Sequence, residues 1–360
     1  MTEEKYIATL LGCAIGDALG MPVEGWYREQ IKKYVGRITE LRAPVIIRDR
    51  KGTKVEEDEF GKIGYWTGTY KKGEYTDDTL LTLALARSIS KKRGFDLEDV
   101  AKKQLEAYEL CLNEKGELKN GFGGTTMEAC KRLKAGISPL ESGVIGGPGN
   151  GPAMKMSPVG MYMHAAKDYY NGLEFAKQVS QITHLDPRSI ASGIVQAHAI
   201  CALLFGIDKK DFLESLVDVC ERHENALDER FTWHKSGSLS QRLKWIIENK
   251  GVDDETAFQY FGKIPDKNKL PKVSSAVYKS YPFSLWMFQK YWDNPFEGLV
   301  ETVNFGGDCD TTGAIYGALA GAKHGLSIFP EEFVRDIKDV EEIFELGRSI
   351  YALNISGGKK

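Results

Sequence analysis

The sequence has few cysteines, and none of them belongs to a motif. Six cysteines stand singly along the 360 residues, without a CxxC pair or the regular spacing of a disulfide framework. This pattern excludes a disulfide-stapled scaffold and a cysteine-based zinc site. We therefore expect a reduced, cytoplasmic protein whose fold depends on an ordinary hydrophobic core.

The sequence also lacks a strong charge of either sign and a long uninterrupted apolar run. The net charge is −3 and basic residues are mixed with acidic ones, so a nucleic-acid backbone is not an expected partner. The longest apolar run, 190–207, contains Ser192, Gln196 and His198, which favours a core helix over a membrane span. We expect a monomer without a membrane partner.

Strand signals are scarce, and helical periodicity dominates. Only 44–48 has the composition of an extended strand, and no Pro/Ser-rich linker divides the chain. The sequence therefore predicts one compact all-α domain, with irregular segments near 25–75 and 262–272. The predicted helices cover 5–20, 77–93, 96–113, 122–135, 187–206, 209–222, 238–249, 254–261, 273–291, 310–325 and 331–347.

The first predicted helix carries glycines four residues apart, at Gly12, Gly16 and Gly20. Glycine lowers helix propensity, so its repetition on one face needs a structural reason. Without a Cβ atom another backbone can approach closely, and we expect this helix to pack tightly in the core. Asp17 lies near the end of the same helix, where its charge opposes the helix dipole, so we expect it to have a specific partner.

Two segments combine hydroxyl groups with paired carboxylates before an apolar helix: YTDDTL at 75–80 and NFGGDCDTTG at 304–313. Singly, each favours a helix N-terminus, because Asp and Thr are preferred caps and acids complement the helix dipole. A cap needs only one such residue, however, and buried aspartates would raise one another's pKa. Divalent cations such as Mg²⁺ or Mn²⁺, which prefer oxygen ligands, would remove that repulsion, and the ligand number suits two of them. We expect the second segment both to cap its helix and to bind metal.

Further segments occur in a fixed order with these two. They are GCAIGDALGMPVE (12–24), GFGGTTMEA (121–129), GGPGNGPAMKMSPVG (146–160), ITHLDP (182–187) and the continuation AIYGALAGAKHG (314–325). With TDDT and GGDCDTTG together, the chain resembles the ADP-ribosylglycohydrolase family. The resemblance implies a single-domain orthogonal helical bundle over 1–355 with a binuclear metal cleft. It also implies removal of ADP-ribose from proteins or small molecules.

The resemblance also implies roles for individual residues. The implied ligands of two Mg²⁺ or Mn²⁺ ions are Thr76, Asp77, Asp78, Asp308, Asp310 and Thr311. Glu24 takes an acidic position beside the metals, and Glu24, Asp77 or Asp310 would activate the water that attacks the ribosyl C1″ atom. The implied substrate-binding residues are Gly123, Gly147, Gly149, Asn150, Gly151, Ser157 and His184.

From the residues alone, several of these assignments stay open. The loop 146–154 is either a flexible turn or a cradle of backbone amides for a diphosphate, since it lacks the ending of a Walker loop. Ser157 equally suits the cap of a following helix, and a lone histidine such as His184 more often serves packing. The aromatic residues Tyr65, Trp66 and Tyr70 either stack on adenine or anchor their loop.

The acceptor of the ADP-ribosyl group stays open as well. The chain has Lys155 where the family often has arginine, and 223–300 has no clear counterpart in it. Two other functions are compatible with the motifs: a non-catalytic ADP-ribose-binding or structural protein on the same fold, and a two-metal phosphohydrolase. The complete ligand set favours the glycosidic hydrolase.

Overall fold

The computed structural model describes residues 3–66, 70–118, 121–224, 237–263 and 270–356. In these residues α-helices dominate, and one short antiparallel hairpin pairs β1 (Glu57–Asp58) with β2 (Gly61–Lys62). The prediction of an all-α fold is confirmed. The helices are α1 Glu3–Gly20, α2 Arg28–Tyr34, α3 Asp77–Lys92, α4 Leu97–Leu110, α5 Gly124–Lys134, α6 Gly151–Lys155, α7 Ser157–Ala166, α8 Tyr169–Gln181, α9 Pro187–Phe205, α10 Lys209–Glu224, α11 Leu239–Glu248, α12 Asp254–Gly262, α13 Val277–Lys290, α14 Pro295–Asn304, α15 Cys309–His324, α16 Glu331–Asp336, α17 Val340–Tyr351 and α18 Leu353–Ser356.

α1 and α15 pack antiparallel with their backbones in contact. A Cβ atom added to Gly16 would lie 2.0 Å from the Gly313 carbonyl oxygen, and one added to Gly12 would lie 2.1 Å from that of Gly317. The expected tight packing of the glycine-bearing helix is therefore confirmed. Because the helices are antiparallel, the C-terminal end of α1 lies beside the N-terminal end of α15.

The single helix predicted over 331–347 is wrong, because α16 ends at Asp336 and α17 begins at Val340. The segment before α3 occupies the break. The Lys338 N–H donates to the Gly73 carbonyl (2.9 Å), and the Tyr75 hydroxyl donates to Asp339 (2.6 Å). The apolar periodicity of 331–347 cannot indicate that a segment distant in the sequence packs between the two helices.

The strand predicted at 44–48 is also wrong. Only Arg48 forms a bridge, to Lys54, and the Val45 N–H donates to the Pro22 carbonyl (3.1 Å). The Ile47 carbonyl accepts from the Val55 N–H (3.0 Å), so the segment bonds partly to the turn that follows α1 and partly to residues 54–55, without forming a strand. The segment 223–300, which the motifs left unassigned, contributes α11 to α13, and its residues 225–236 and 264–269 lie outside the described part.

Two helical stretches, Glu3–Val23 and Pro187–Phe205, are long and apolar enough by composition to cross a membrane. They are 100% and 78% buried inside the protein. Core helices of globular proteins have the same composition, so the test is weak evidence for a span. α9 is thus a largely buried helix, as the polar residues within 190–207 indicate.

Candidate active site

A cavity of about 330 Å³ lies among the ends of several helices. Most of the predicted site residues line it, namely Glu24, Asp77, Asp78, Gly123, Gly149, Asn150, Gly151, His184, Asp308, Asp310 and Thr311. Thr76, Gly147 and Ser157 are not among its lining residues. Ser157 is fully buried in the first turn of α7, and its hydroxyl has no hydrogen-bond partner within the described residues.

The carboxylate of Asp17, on α1, caps the first turn of α3. It accepts hydrogen bonds from the N–H groups of Thr76 and Thr79 (3.0 Å each) and from their hydroxyls (3.0 and 2.6 Å). Asp17 is fully buried, so the expectation that it has a specific partner is confirmed. Because Asp17 supplies the cap, neither Asp77 nor Asp78 is needed for it, and both line the cavity.

Thr76 is fully buried at the start of α3, with its hydroxyl between the carboxylates of Asp17 and Asp78. Its hydroxyl is 3.0 Å from Asp17 Oδ1 and 3.1 Å from Asp78 Oδ2, so its single proton serves one of the two. The other oxygen, Asp78 Oδ1, is buried without a hydrogen-bond partner among the described residues. A buried carboxylate oxygen without a donor suits a cation ligand.

Two glycines direct Asp308 toward the cavity. Gly306 and Gly307 have φ angles of 71° and 75°, a conformation that favours glycine. The Asp308 N–H donates to the Val273 carbonyl (2.9 Å), which fixes the turn. Asp308 stands at the N-cap position of α15, but its side chain makes no cap hydrogen bond. Asp308 thus does not supply the cap expected of this segment, since its carboxylate accepts instead from Asn150 Nδ2 (2.5 Å), while Asp310 Oδ1 accepts the first-turn N–H of Thr311 (2.8 Å).

The two acidic segments meet in the cavity. Carboxylate oxygens of Glu24, Asp308 and Asp310 lie within 4.8 Å of one another. Glu24 follows α1 and the two aspartates begin α15, so the close packing of these helices explains their proximity. The Thr311 N–H donates to Asp310 Oδ1 (2.8 Å), which orients that carboxylate at the start of α15.

Burial raises the pKa of every carboxylate in this group. It raises the pKa of Asp308 to about 6, and with neighbouring negative charges it raises those of Asp77 and Glu24 to about 7 and about 8. The pKa values of Asp78 and Asp310 lie well above the ordinary range for the same reasons. So many buried carboxylates ionise together only beside positive charge, and a donor set made of oxygen alone fits Mg²⁺ or Mn²⁺.

The glycine-rich loop shapes the cavity without a cradle of free amides at Gly149 and Asn150. The Gly149 N–H donates to the Gly147 carbonyl (2.8 Å) and the Asn150 N–H donates to the Ser275 carbonyl (3.1 Å). Both groups are therefore unavailable to a phosphate. The glycines instead leave room for His184, because a Cβ atom on Gly149 or Gly151 would lie 2.7 Å from its ring. Substrate binding by these residues stays a prediction.

Aromatic side chains before α3 anchor their loop, and one of them also lines the cavity, whereas stacking on adenine stays a prediction. Trp66 lines the cavity, and its indole N–H donates to the Met21 carbonyl (2.7 Å). Tyr65 anchors its loop, since its hydroxyl donates to the Val55 carbonyl (2.6 Å). The sequence reasoning missed Phe122 and Ser275 in the cavity wall. Phe122 lies inside a recognised motif, whereas no local signal marks Ser275.

Comparison with known proteins agrees with the motifs. Residues 1–359 match the family model described as ADP-ribosylglycohydrolase. The chain is 24% identical over 378 residues to the ADP-ribosylhydrolase ARH3 of Gallus gallus, covering 97% of this chain and 93% of that protein. It is 25% identical over 352 residues to the ADP-ribosyl-(dinitrogen reductase) glycohydrolase of Rhodospirillum rubrum, covering 98% and 96%. A solved structure described as an ADP-ribosylglycohydrolase-related protein complex matches with a TM-score of 0.61 at 25% identity, covering 98% of each chain.

Proposed function

Because the chain belongs to the ADP-ribosylglycohydrolase family, we propose that it hydrolyses the ribosyl C1″ glycosidic bond of ADP-ribosylated proteins or small molecules and releases ADP-ribose. The family acts on ADP-ribosyl linkages and depends on metal. One observation carries the proposal beyond the family. Asp17 caps α3 and Asp308 makes no cap hydrogen bond to α15, so Asp77, Asp78 and Asp308 converge with Asp310 on one cavity.

We infer that two divalent cations, Mg²⁺ or Mn²⁺, bind in this cavity. Their ligands would be Thr76, Asp77, Asp78, Asp308, Asp310 and Thr311. When bound, they would offset the buried negative charge and polarise both the ribose hydroxyls and a water molecule. The raised carboxylate pKa values and the partnerless Asp78 Oδ1 support this inference.

Glu24 is our first candidate for the general base. It lines the cavity from the loop after α1, beside Asp308 and Asp310, and it belongs to neither helix start. Its carboxylate would take a proton from the attacking water while the water oxygen bonds to C1″. The C1″–N or C1″–O bond breaks in the same step, and the departing atom takes up a proton from solvent. Asp77 and Asp310 are the alternative bases.

The rest of the cavity would hold the ADP-ribosyl group. Its volume of about 330 Å³ suits part of a small molecule. α5 begins after Gly123 without a side-chain cap, so its first N–H groups suit the diphosphate. The other proposed contacts are Gly149, Asn150, Gly151 and His184, which line the cavity. We also propose a cytoplasmic monomer, and the free, buried cysteines support a reducing compartment.

The test is a panel of ADP-ribosylated substrates, linked through arginine, serine, a nucleobase or an acetyl ester, assayed with Mg²⁺, Mn²⁺ or EDTA. We expect free ADP-ribose with metal and none with EDTA. Asp308→Asn and Asp77→Asn should abolish the reaction and leave the protein folded. Asp293→Asn is the matched control, because that side chain is 86% exposed.

Other outcomes would contradict the proposal. Release of AMP or phosphate would identify a phosphohydrolase, and metal-dependent binding without turnover would identify a non-catalytic protein. Full activity of Asp308→Asn in EDTA would refute the assigned metal site.

A further inference from the structure

Lys155 is a buried cation close to the cavity. It is the last residue of α6 and is fully buried. Its Nζ donates to Gln104 Oε1 (3.1 Å) and to Thr183 Oγ1 (3.2 Å). Within the part of the chain that the structure describes, no carboxylate lies at ion-pair distance from Nζ. Burying an ammonium group without a carboxylate costs free energy, so its position calls for a role.

Thr183 joins Lys155 to His184. Thr183 Oγ1 lies 2.9 Å from His184 Nδ1 and 3.5 Å from the Ser180 carbonyl oxygen. That carbonyl already accepts the N–H groups of Thr183 (3.2 Å) and His184 (2.9 Å), which occupy its two lone pairs. Because a lysine ammonium only donates, the Thr183 hydroxyl accepts from Lys155, and its own proton is directed to His184 Nδ1.

We propose that Lys155 is a positioning residue which, through Thr183, fixes His184 as the tautomer protonated at Nε2. Nδ1 is then an acceptor, and the ring offers an N–H donor at Nε2. His184 lines the cavity, so this donor would meet an oxygen acceptor of the ligand, on a phosphate or on the ribose. The identity of the ligand rests on the proposed function, whereas the tautomer does not.

The surroundings of His184 keep the ring neutral and in place. Burial, with the positive charge of Lys155, lowers the pKa of His184 to about 3. The ring is therefore neutral at neutral pH, with a single nitrogen-bound proton on either Nδ1 or Nε2. A Cβ atom on Gly149 would lie 2.7 Å from Nε2, and one on Gly151 would lie 2.7 Å from Cε1. The loop backbone thus lies against the ring and opposes its rotation.

The tautomer is measured directly by long-range ¹H–¹⁵N correlation of the histidine rings at neutral pH. The His184 signals are assigned from their loss in His184→Asn. We expect Nε2 protonated in the wild type and in Thr183→Ser, which keeps the hydroxyl. Thr183→Val and Lys155→Met should give a mixture of tautomers. Thr302→Val is the matched control, at another buried threonine whose hydroxyl donates to the Gly298 carbonyl (2.6 Å) and to no other described residue.

Binding of ADP-ribose, followed by calorimetry, gives the second measurement. Because only the Nε2-protonated fraction presents the donor, an even mixture of tautomers should weaken binding about twofold in Thr183→Val and Lys155→Met, with Thr183→Ser close to wild type. Protonation at Nδ1 in the wild type, or an unchanged single tautomer in both disrupting variants, overturns the inference. If Lys155→Met does not fold, Thr183→Val decides it. Failure of the wild type to bind ADP-ribose would refute the proposed function, and the tautomer result would still decide this inference.

Discussion

Asp17 gives the most direct test of how the acidic site is built. Its carboxylate caps α3 from another helix, which leaves Asp77 and Asp78 free to face the cavity. Asp17→Asn keeps the shape of the side chain but replaces one acceptor oxygen by a donor. Asp17 Oδ1 bonds mainly to Thr76, and Oδ2 accepts from the N–H and hydroxyl of Thr79.

The expected loss of stability follows from these contacts. With the amide oxygen at the Oδ1 position, Thr76 keeps its acceptor and the Thr79 hydroxyl can reverse its role. The Thr79 N–H then faces an NH₂ group, and a buried donor left without an acceptor costs about 1–3 kcal/mol. Removing the Asp17 charge offsets part of this cost, because Asp17 is the largest neighbouring charge that raises the pKa of Asp77 and Asp78. We expect a net loss of about 2 kcal/mol, which corresponds to about 3 °C in Tm for a chain of 360 residues.

The measurements are urea and thermal unfolding in EDTA, followed by hydrolysis with metal. Activity of Asp17→Asn should fall by more than the stability loss explains, since the first turn of α3 carries two proposed ligands. Asp99→Asn is the control, because Asp99 is also buried but lies in the first turn of α4 and does not line the cavity. Wild-type stability together with wild-type activity in Asp17→Asn would refute the capping argument.

Three further predictions concern charge, packing and binding. In EDTA the free energy of unfolding should fall as pH rises from about 4 to 7. Burial raises the folded-state pKa of Asp308 to about 6 and that of Asp77 to about 7. In this range the folded protein therefore holds protons that the unfolded chain has lost. The midpoint of urea unfolding measures this stability at each pH. Addition of Mn²⁺ should raise the midpoint more at pH 8 than at pH 5. A stability in EDTA that increases from pH 4 to pH 7 would contradict the prediction. Gly16→Ala should cost about 3 kcal/mol through overpacking against Gly313, whereas Gly251→Ala, which meets nothing within 4 Å, should change the unfolding midpoint little. Trp66→Ala should weaken ADP-ribose binding about tenfold if the ring stacks on the base, and unchanged affinity by calorimetry would exclude that role.

The sequence predicts the fold class and the acidic site well because both have local signals. Apolar periodicity marks the long helices, and the paired aspartates exceed what a cap requires. The partner of Asp17 was expected, but its identity was not, because a contact across 59 residues leaves no pattern in either segment. The same limit applies to Ser275, which enters the cavity wall through a long-range bond to the loop at Asn150. The short helices α2 and α6 have too few turns for a period to be recognised.

The capping role of Asp308 fails for a different reason. The preference for aspartate at the N-cap position applies best to a helix end whose N–H groups and capping side chain bond only within the same segment. At the start of α15 the Val273 carbonyl and the Asn150 side chain reach Asp308 from other parts of the fold. These contacts hold the carboxylate away from its own helix and toward Asp310 and Glu24.

The packing of α1 against α15 brings the acidic residues of the site together. Glu24 and Asp310 are held near each other by the contact of α1 with α15, and that contact extends along the glycines well away from the cavity. Packing of the two helices is therefore set independently of the charges it brings together. A cation entering such a site meets ligands that are already assembled, so little of its binding free energy is needed for folding. Gly16→Ala should then weaken Mn²⁺ binding as well as stability, although Gly16 touches no proposed ligand. If the variant loses stability but keeps full Mn²⁺ affinity, the ligands assemble without this packing.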